Sequence, residues 1–581
     1  PNGYGPAVRF RPARVAVVVF DLWFLAVVAC AVFAIRDLKY GTEDVQAARA
    51  QLTPAALVTG EPAVALRHAE RRFSSAHTKL ANPALYPMRF LPIGGRQLRS
   101  AIALSGSAEV VASAGAKGVE QAAAALDKAP SDGPGRIALL TKLQGIVATA
   151  SGEVRGLDLG PGNALIGPLA DRRRLFLQQL TEARTGLTNA DAGVVALRDL
   201  LEGPRRYLVL AGNNAEMRAG SGAFLSVGVL DSSGGTLHLG EFQPAGDLLV
   251  PGPGPDMDPD LAARWGWLEP NREWRNLGVS PRFDATGPLA AAMWEARGGG
   301  RVDGVLGLDI DAIKAVLGAT GPVDVEGLQV DAGSVEPLLM HDQYTEAATL
   351  AEHTIRRERM GAIAGTAVNA LEQGSFSLVD LGNGLMEAAN GRHILAWARD
   401  PKVQAGWAAA GTSGQVPADG LLVGLVNRGA NKLDRFLVVE SRMTTAPAKA
   451  NGDTEVALAF TLDNRTPDGE IPYIAGPVKE TGTAAGEYRG LLSVTLPAGA
   501  TSPHLDEEGL GFVVAGKDGL GSVVAVEQRV PKGEQRTITL RFDMPGRTGQ
   551  FRLLPSARIP PVEWRRGGYA FNDGLGRTLR W

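Results

Sequence analysis

Residues 207–229 read YLVLAGNNAEMRAGSGAFLSVGV, two apolar runs joined by a polar turn. The runs Tyr207–Ala211 and Ala223–Val229 predict strands, and the turn between them carries one acid, Glu216, and one base, Arg218. Because loops beyond strand ends are where α/β folds bind ligands and react, this turn is a candidate ligand cleft. The same pattern also fits a surface hairpin with a solvated ion pair, which would contribute little to stability.

The length and charge of the chain exclude some classes of protein. Its 581 residues are too many for one hydrophobic core, so we expect about three or four domains. The chain has 59 Lys and Arg against 62 Asp and Glu. It therefore lacks the basic excess that is typical of nucleic-acid-binding proteins. Its single cysteine, Cys30, excludes an intrachain disulfide and a cysteine-based zinc site.

An apolar segment near the N-terminus predicts a membrane anchor. Residues 15–35 have about the length of a membrane-spanning helix and follow three arginines. We therefore expect residues 1–14 in the cytoplasm, a single-pass signal anchor over 15–35 in the cell membrane, and the bulk of the chain outside. A cleavable signal peptide is the alternative, but no clear cleavage site ends the run. Asp21 within the span indicates either a membrane-protein partner or contact with lipid headgroups.

The remaining patterns predict a multidomain α+β chain. Ala-rich segments between Gly and Pro breaks predict a helical stalk over 41–202, and alternating strand and helix patterns predict an α/β domain over 203–410. Seven short strands between turns then predict a β-sandwich over 415–555. The tail, 556–581, is interpreted as a docking strand, and NKLDRF, residues 431–436, as a domain junction.

Arginines in the α/β region indicate phosphate binding. Helical spacing in the RRER run places Arg356 and Arg359 on neighbouring positions of one face, and such pairs bind phosphates through forked donors. The same run is also ordinary for an exposed helix. Residues 265–283 place three tryptophans among arginines, including Arg282, a combination that suits a sugar or lipid phosphate but also anchors long loops to a core.

Four motifs resemble a known family in their order along the chain. They are NNAEMRAGSGAFLSVG, VDGVLGLDIDAIKAVLGATGPVDVEG, GRHILAW and NRGANKLDRFL. Together they resemble the domain-of-unknown-function family 4012 (DUF4012), a group of bacterial envelope proteins with an N-terminal membrane anchor. Within this resemblance, residues 207–371 are similar, more distantly, to the LytR-CpsA-Psr catalytic domain. Members of that second family transfer glycopolymers from polyprenyl-pyrophosphate carriers to peptidoglycan.

The second resemblance implies a pyrophosphate site in a central LytR-CpsA-Psr-like domain. The RRERM run resembles that family's Arg-x-x-Arg-Gln signature, which implies that Arg356 and Arg359 bind pyrophosphate. SPRF resembles its Ile-Pro-Arg-Asp run and adds Arg282. The turn with Glu216 and Arg218 lies where the family keeps an Arg and a metal-binding Asp, so these two are the implied catalytic residues, with Arg218 also a phosphate ligand.

A divalent metal would assist transfer by bridging phosphate oxygens. Glu216 with Asp303 or Asp284 would hold Mg²⁺ or another divalent ion, although the acid after Arg282 is displaced relative to the family pattern. Two hypotheses follow. In the first, the protein binds a polyprenyl-(pyro)phosphate glycolipid at the membrane and transfers its glycopolymer to the cell wall. In the second, the same fold is a non-catalytic binding or scaffold subunit of an envelope assembly.

Overall fold

The chain forms two compact units of helices and mixed sheets. The computed structural model describes residues 12–51, 54–128, 130, 132–325, 327–345, 350–374 and 376–581, without the side chains of residues 12–26, 28, 31, 54–55 and 350–358. Unit 1 comprises Pro1–Ala129 and Leu139–Asp191, and unit 2 comprises Pro130–Ala138 and Ala192–Trp581. This division confirms a multidomain α+β chain.

Unit 1 is built from long helices, although residues 133–138 and 192–202, at the ends of the last two helices, belong to unit 2. Alanines let these helices approach closely, because Ala69, Ala108 and Ala112 pack with Phe73 in one buried cluster. The helices are α1 (Pro12–Ala50), α2 (Pro54–Thr59), α3 (Glu61–Leu80), a 3₁₀ helix (Pro83–Phe90), α4 (Gly94–Leu126), α5 (Gly133–Arg155) and α6 (Gly167–Glu202).

The expected transmembrane helix at residues 15–35 is wrong. In the described part of the chain, no helix combines the length and the apolar character needed to cross a membrane. The predicted segment is instead part of the longer helix α1, whose later residues Asp37 and Asp44 pair with Lys79 (2.5 Å) and Arg72 (2.8 Å) of α3. The side chain of Asp21, the predicted partner contact, and most of the predicted cytoplasmic segment lie outside the described residues.

Unit 2 begins with a mixed sheet around β1. In the order β3-β2-β1-β5-β8, β1 is antiparallel to β2 and parallel to β5, and β4 pairs with β2. The elements are β1 (Arg205–Arg218), β2 (Ser221–Ser233), β3 (Thr236–Leu239), β4 (Gln243–Pro244), α7 (Pro259–Trp265), α8 (Phe283–Ala296), β5 (Gly304–Leu308), α9 (Ile310–Thr320), β6 (Val323–Val325), β7 (Leu328–Val330), α10 (Val335–Pro337), α11 (Gln343–Thr345), α12 (Leu350–Glu372), α13 (Leu378–Asn390), β8 (Ile394–Ala398) and α14 (Pro401–Ala409).

The polar stretch NNAEMR belongs to β1 and is not a surface loop. β1 and β2 form one long hairpin, whose turn is Ala219–Gly220, and the register shifts near Ala211 and again between Asn213 and Met217. These irregularities redirect polar side chains that regular alternation would place elsewhere. Asn213 and Asn214 are buried, and the side chain of each donates hydrogen bonds to partners within unit 2 that replace those to water.

The rest of unit 2 is a pair of six-stranded sheets with a shared apolar core. The first sheet has the order β13-β16-β11-β10-β18-β19, and the second has the order β14-β15-β12-β9-β17-β20. The elements are β9 (Gly420–Asn427), β10 (Leu437–Thr445), β11 (Thr454–Asn464), α15 (Pro472–Ala475), β12 (Tyr488–Leu496), β13 (Thr501–Leu505), β14 (Val514–Asp518), β15 (Gly521–Val530), β16 (Gln535–Met544), β17 (Gln550–Leu554), β18 (Glu563–Arg566), β19 (Tyr569–Asn572) and β20 (Arg577–Arg580).

The sandwich and the β1 sheet share apolar cores within unit 2. Met217 of β1 and Tyr344 of α11 belong to the sandwich core, while Val426 and Val523 of the sandwich belong to the core around the β1 sheet. The tail beyond residue 556 adds β18, β19 and β20 to the two sheets. Residues of the sandwich are therefore in position to complete a site built on β1.

Candidate functional site

The end of β1 carries a buried ion-pair network. Glu216 pairs with Arg218 (3.2 Å) and with Lys432, which lies between β9 and β10 of the sandwich. All three side chains are buried, with exposed fractions of 12% or less. Burial alone would raise the pKa of Glu216, but the neighbouring charges of Lys432 and Arg218 lower it to about 2. Glu216 is therefore a fully ionised carboxylate between two cations.

Arg218 is fully engaged with protein groups. Beyond Glu216, its guanidinium donates to the side-chain oxygen of Asn276 (3.2 Å) and to the carbonyl oxygens of Met217 (3.0 Å) and Asn427 (3.4 Å). Partners from β1, from the loop before α8 and from the sandwich thus hold one side chain. This arrangement suits a structural junction better than a phosphate ligand, because a ligand would have to displace these acceptors.

Arg282 lies in a second closed network. Its guanidinium contacts the carboxylates of Asp258 and Asp518 (both 3.0 Å) and that of Asp284 (3.5 Å). Burial raises the pKa of Asp284, despite the neighbouring Arg282. Three carboxylates therefore already surround the guanidinium of Arg282, one of the four that the sequence assigned to pyrophosphate.

The remaining predicted site residues are not brought together by the described contacts. Asp303 accepts a hydrogen bond from the backbone N–H of Arg206 (2.9 Å) at the start of β5. Arg359 is half-buried on α12, and the side chain of Arg356 lies outside the described residues. The predicted phosphate-binding pair of α12 therefore stays a prediction.

The acids predicted to hold a metal do not fit a divalent cation in this arrangement. Glu216 contacts two cations, Asp284 contacts a guanidinium, and Asp303 contacts a backbone amide. Across the part of the chain that the structure describes, no three His, Cys, Asp or Glu side chains are grouped as metal ligands. We derive no metal-assisted step for this site.

Asn214 of β1 connects the hairpin to a different region of unit 2. Its side-chain amide donates to the carboxylate of Asp309 and to the carbonyl oxygen of Ala557, both at 2.8 Å. Asp309 caps α9 by accepting from the backbone N–H of Asp311 (3.1 Å). Asn214 therefore positions both the start of α9 and the loop after β17.

These two elements border a cleft of about 860 Å³. Its walls come from α9, α10, α13 and the loop after β17, and a volume in this range is typical of small-molecule sites. The charged side chains of the lining are the acids Asp311, Glu336, Asp380 and Glu387 and the bases Lys314, His393, Arg435 and Arg558. Sequence reasoning had assigned no function to these residues, because they are spread over distant segments of the chain.

Arg558 has hydrogen-bonding capacity left over in the cleft. It is only 3% exposed, and its Nη2 donates to the carbonyl oxygens of Asp434 (3.1 Å) and Leu437 (2.8 Å). Among the described residues, its Nε and Nη1 have no hydrogen-bond acceptor, and neither has Nη1 of Arg435. Buried guanidinium N–H groups without acceptors are costly, so this part of the cleft favours an anionic ligand.

The loop that carries Arg558 is held in place by the side chain of Asp573. The buried carboxylate of Asp573 accepts from the backbone N–H groups of Ser556 (3.1 Å) and Val562 (2.7 Å). Burial raises the pKa of Asp573 to about 6. Together with the bond from Asn214 to Ala557, these contacts hold the guanidinium of Arg558 in place before a ligand arrives.

His393 is a compensated cation at the edge of the cleft. Its Nδ1 lies 2.7 Å from Asp309, and its Nε2 lies 3.3 Å from Asp311. Burial alone would lower the pKa of His393, but the two carboxylates raise it to about 9. The ring is therefore protonated at neutral pH and does not act as a general base there.

Comparison with known proteins supports one of the two resemblances. Residues 202–344 match the DUF4012 family model. That family is described as a protein of unknown function, and the match covers β1, β2, α8, β5 and α9. Neither a curated protein nor a solved structure matched the chain. The matched segment contains Asn214, Glu216 and Arg218 but ends before α12 and the sandwich.

We expect Glu216→Gln to lower the free energy of unfolding by about 3–5 kcal/mol at pH 7, because it leaves Lys432 buried without a counter-charge. The measurement is urea unfolding of both full-length proteins. Since the pKa of Glu216 is lowered in the folded state, its stabilisation is present above about pH 4.5 and is lost toward pH 2. The difference between the two proteins should therefore shrink in acid.

Glu440→Gln is the matched control, because Glu440 pairs with Arg565 at 3.4 Å on the exposed surface of the sandwich. Removing an exposed pair should cost less than about 1 kcal/mol. Equal losses of stability in the two variants would show that the network around Glu216 is not a structural junction.

His393→Gln should destabilise the protein most at about pH 6 and progressively less as the pH rises to about 9. The folded pKa of His393 lies above its ordinary value, so its stabilisation is complete below about pH 6.5 and is lost as the ring deprotonates near pH 9. Unfolding measured across this range checks the trend. A pH-independent loss for His393→Gln would contradict the assignment.

Proposed function

We propose that unit 2 is a binding module for a phosphate-bearing glycan, and that the phosphate or pyrophosphate group is bound by Arg558 and Arg435 in the cleft beside α9. The observation that carries this proposal is the buried, pre-positioned guanidinium of Arg558, whose nitrogen atoms Nε and Nη1 lack an acceptor among the described residues. Arginine suits this task because its planar fork matches the oxygens of a phosphate.

Charge distribution within the cleft supports an anion at this position. Lys314 contacts Glu336 (3.1 Å) and Asp311 (3.8 Å), and His393 contacts Asp311 and Asp309, so these two cations already have carboxylate partners. The hydrogen bonds of Arg558 go instead to neutral carbonyl oxygens, while the carboxylates of Asp434 and Asp573 interact with its charge at longer range. An anion beside Arg558 would therefore gain hydrogen bonds that no described residue accepts from its Nε and Nη1.

The side chains of α13 in the cleft support a glycan as the rest of the ligand. Asp380 and Glu387 of α13 line the same cleft, and carboxylates accept hydrogen bonds from hydroxyl groups. A phosphorylated sugar would thus meet cations as well as hydrogen-bond acceptors in this cleft.

A non-catalytic role follows from how the predicted catalytic residues are used. Glu216 and Arg218 hold β1 against the sandwich through buried ion pairs, and neither lines the cleft. The resemblance to the LytR-CpsA-Psr family supports a polyprenyl-pyrophosphate-linked glycan as the physiological ligand and the bacterial envelope as the location. This proposal therefore favours the binding or scaffold role over glycopolymer transfer.

The test is calorimetric titration of the full-length protein with glucose 1-phosphate, inorganic pyrophosphate and farnesyl pyrophosphate. We expect Arg435→Ala and Arg558→Lys to weaken binding roughly 10- to 100-fold, the value of a lost charge-assisted hydrogen bond. Stronger binding of glucose 1-phosphate than of pyrophosphate would assign the selectivity to the sugar. Stronger binding of farnesyl pyrophosphate would assign it to the lipid.

Two control variants make the result specific. Arg552→Ala removes an exposed arginine paired with Asp419 outside the cleft and should leave the affinity unchanged. Arg218→Gln should lower stability while leaving affinity unchanged, because its guanidinium is saturated by protein partners. Binding that is lost with Arg218→Gln but kept with Arg435→Ala would move the site back to the end of β1, and no binding of any of the three ligands would overturn the proposal.

A further inference from the structure

Unit 1 exposes a group of apolar side chains on one short segment. The segment consists of the 3₁₀ helix Pro83–Phe90 and the turn that leads into α4. Four of its side chains, which we call the apolar ridge, are largely exposed: Tyr86 (46%), Phe90 (87%), Leu91 (55%) and Ile93 (70%). Exposed apolar residues concentrated in this way mark an interaction surface more often than residues scattered singly.

The ridge is presented by a segment that is fixed to the helices beneath it. Leu85 is buried, and Leu85 and Met88 pack in one cluster with Val27 and Ala34 of α1. The side chain of Asn82 caps the start of the segment by accepting from the backbone N–H of Ala84 (2.9 Å). Because the inward side chains already fill the core, the ridge has no place to fold back into unit 1.

The ridge lies in a stretch of sequence without acidic residues. Residues 71–108 contain six Lys and Arg and no Asp or Glu, and two of the six, Arg72 and Lys79, pair with Asp44 and Asp37 of α1. Close to the ridge, Arg89 lies over the ring of Tyr86 (4.4 Å), Arg96 donates to Asn163, and Arg99 donates to the carbonyl oxygen of Arg89 (3.5 Å). These three guanidinium groups contact neutral groups, so their positive charge is available to an anionic surface.

We propose that the apolar ridge inserts into the headgroup region of a lipid bilayer that contains anionic lipids. Aromatic and aliphatic side chains enter the boundary between headgroups and acyl chains, while adjacent arginines bind lipid phosphates. The three guanidinium groups beside the ridge contact neutral groups, which favours a bilayer with anionic lipids over a protein surface of mixed charge.

The experiment places an environment-sensitive dye on the ridge of the full-length protein. Cys30→Ser removes the only cysteine, and Phe90→Cys provides a labelling site whose native side chain is 87% exposed. With phosphatidylcholine–phosphatidylglycerol vesicles that carry brominated acyl chains, the dye at position 90 should shift to the blue and be quenched. Quenching should weaken with phosphatidylcholine alone, and Arg89→Gln should lower the partition into anionic vesicles roughly fivefold.

Val64→Cys in the same background is the matched control within unit 1. Val64 is 61% exposed and lies 16 residues before Leu80 on α3, about 24 Å along the helix at 1.5 Å per residue. Its dye should keep its emission. Equal quenching at the two positions, or none at position 90 with either lipid, would overturn the proposal. A shift at position 90 that depends on protein concentration without vesicles would instead assign the ridge to a second copy of the chain.

Discussion

Unit 2 depends on a carboxylate buried between two cations. Glu216 at the end of β1 contacts Arg218 on its own strand and Lys432 on the sandwich, with the two partners drawn from segments more than 200 residues apart. A charge removed from water is tolerated only when its partners are fixed. The network therefore constrains how β1 and the sandwich are joined, and the same two parts of unit 2 also share apolar cores.

The placement of β1 also positions two elements that border the cleft, the start of α9 and the loop that carries Arg558. Two residues before Glu216, Asn214 donates to Asp309 at the start of α9 and to Ala557 in the loop of Arg558. The buried amide of Asn214 thus orients Asp309, which contacts His393, and the backbone of Ala557, which is next to Arg558. The motif NNAEMR therefore joins the β1 sheet to the sandwich. It also positions residues that border the cleft, although nothing in the motif itself predicts the cleft.

Local patterns predicted much of the fold, whereas contacts between distant segments were beyond them. All seven strands predicted in the sandwich overlap observed strands, because alternation and turn residues are local properties. The loop assigned to NNAEMR was wrong, since the bulged strand buries polar residues whose partners lie elsewhere in the sequence. For the same reason, the sequence placed Lys432 and Arg435 in a predicted domain junction without showing their partners, and it gave no role to Arg558. The transmembrane helix predicted at 15–35 was wrong, because no helix in the described part of the chain is long and apolar enough to cross a membrane.

In this chain, the acceptors around an arginine side chain indicate its role better than its place in a sequence motif does. Arg218 and Arg282 attracted attention as phosphate ligands, yet carboxylates and carbonyl oxygens already surround both. Arg558 lies in no recognisable motif, but it combines near-complete burial with N–H groups that no described residue accepts. Since leaving such groups without acceptors costs more than a surface ion pair gains, the unsaturated arginine is the stronger indication of a ligand. The same argument applies to the apolar ridge of unit 1. The arginines beside it contact neutral groups, and its own apolar side chains are exposed to water.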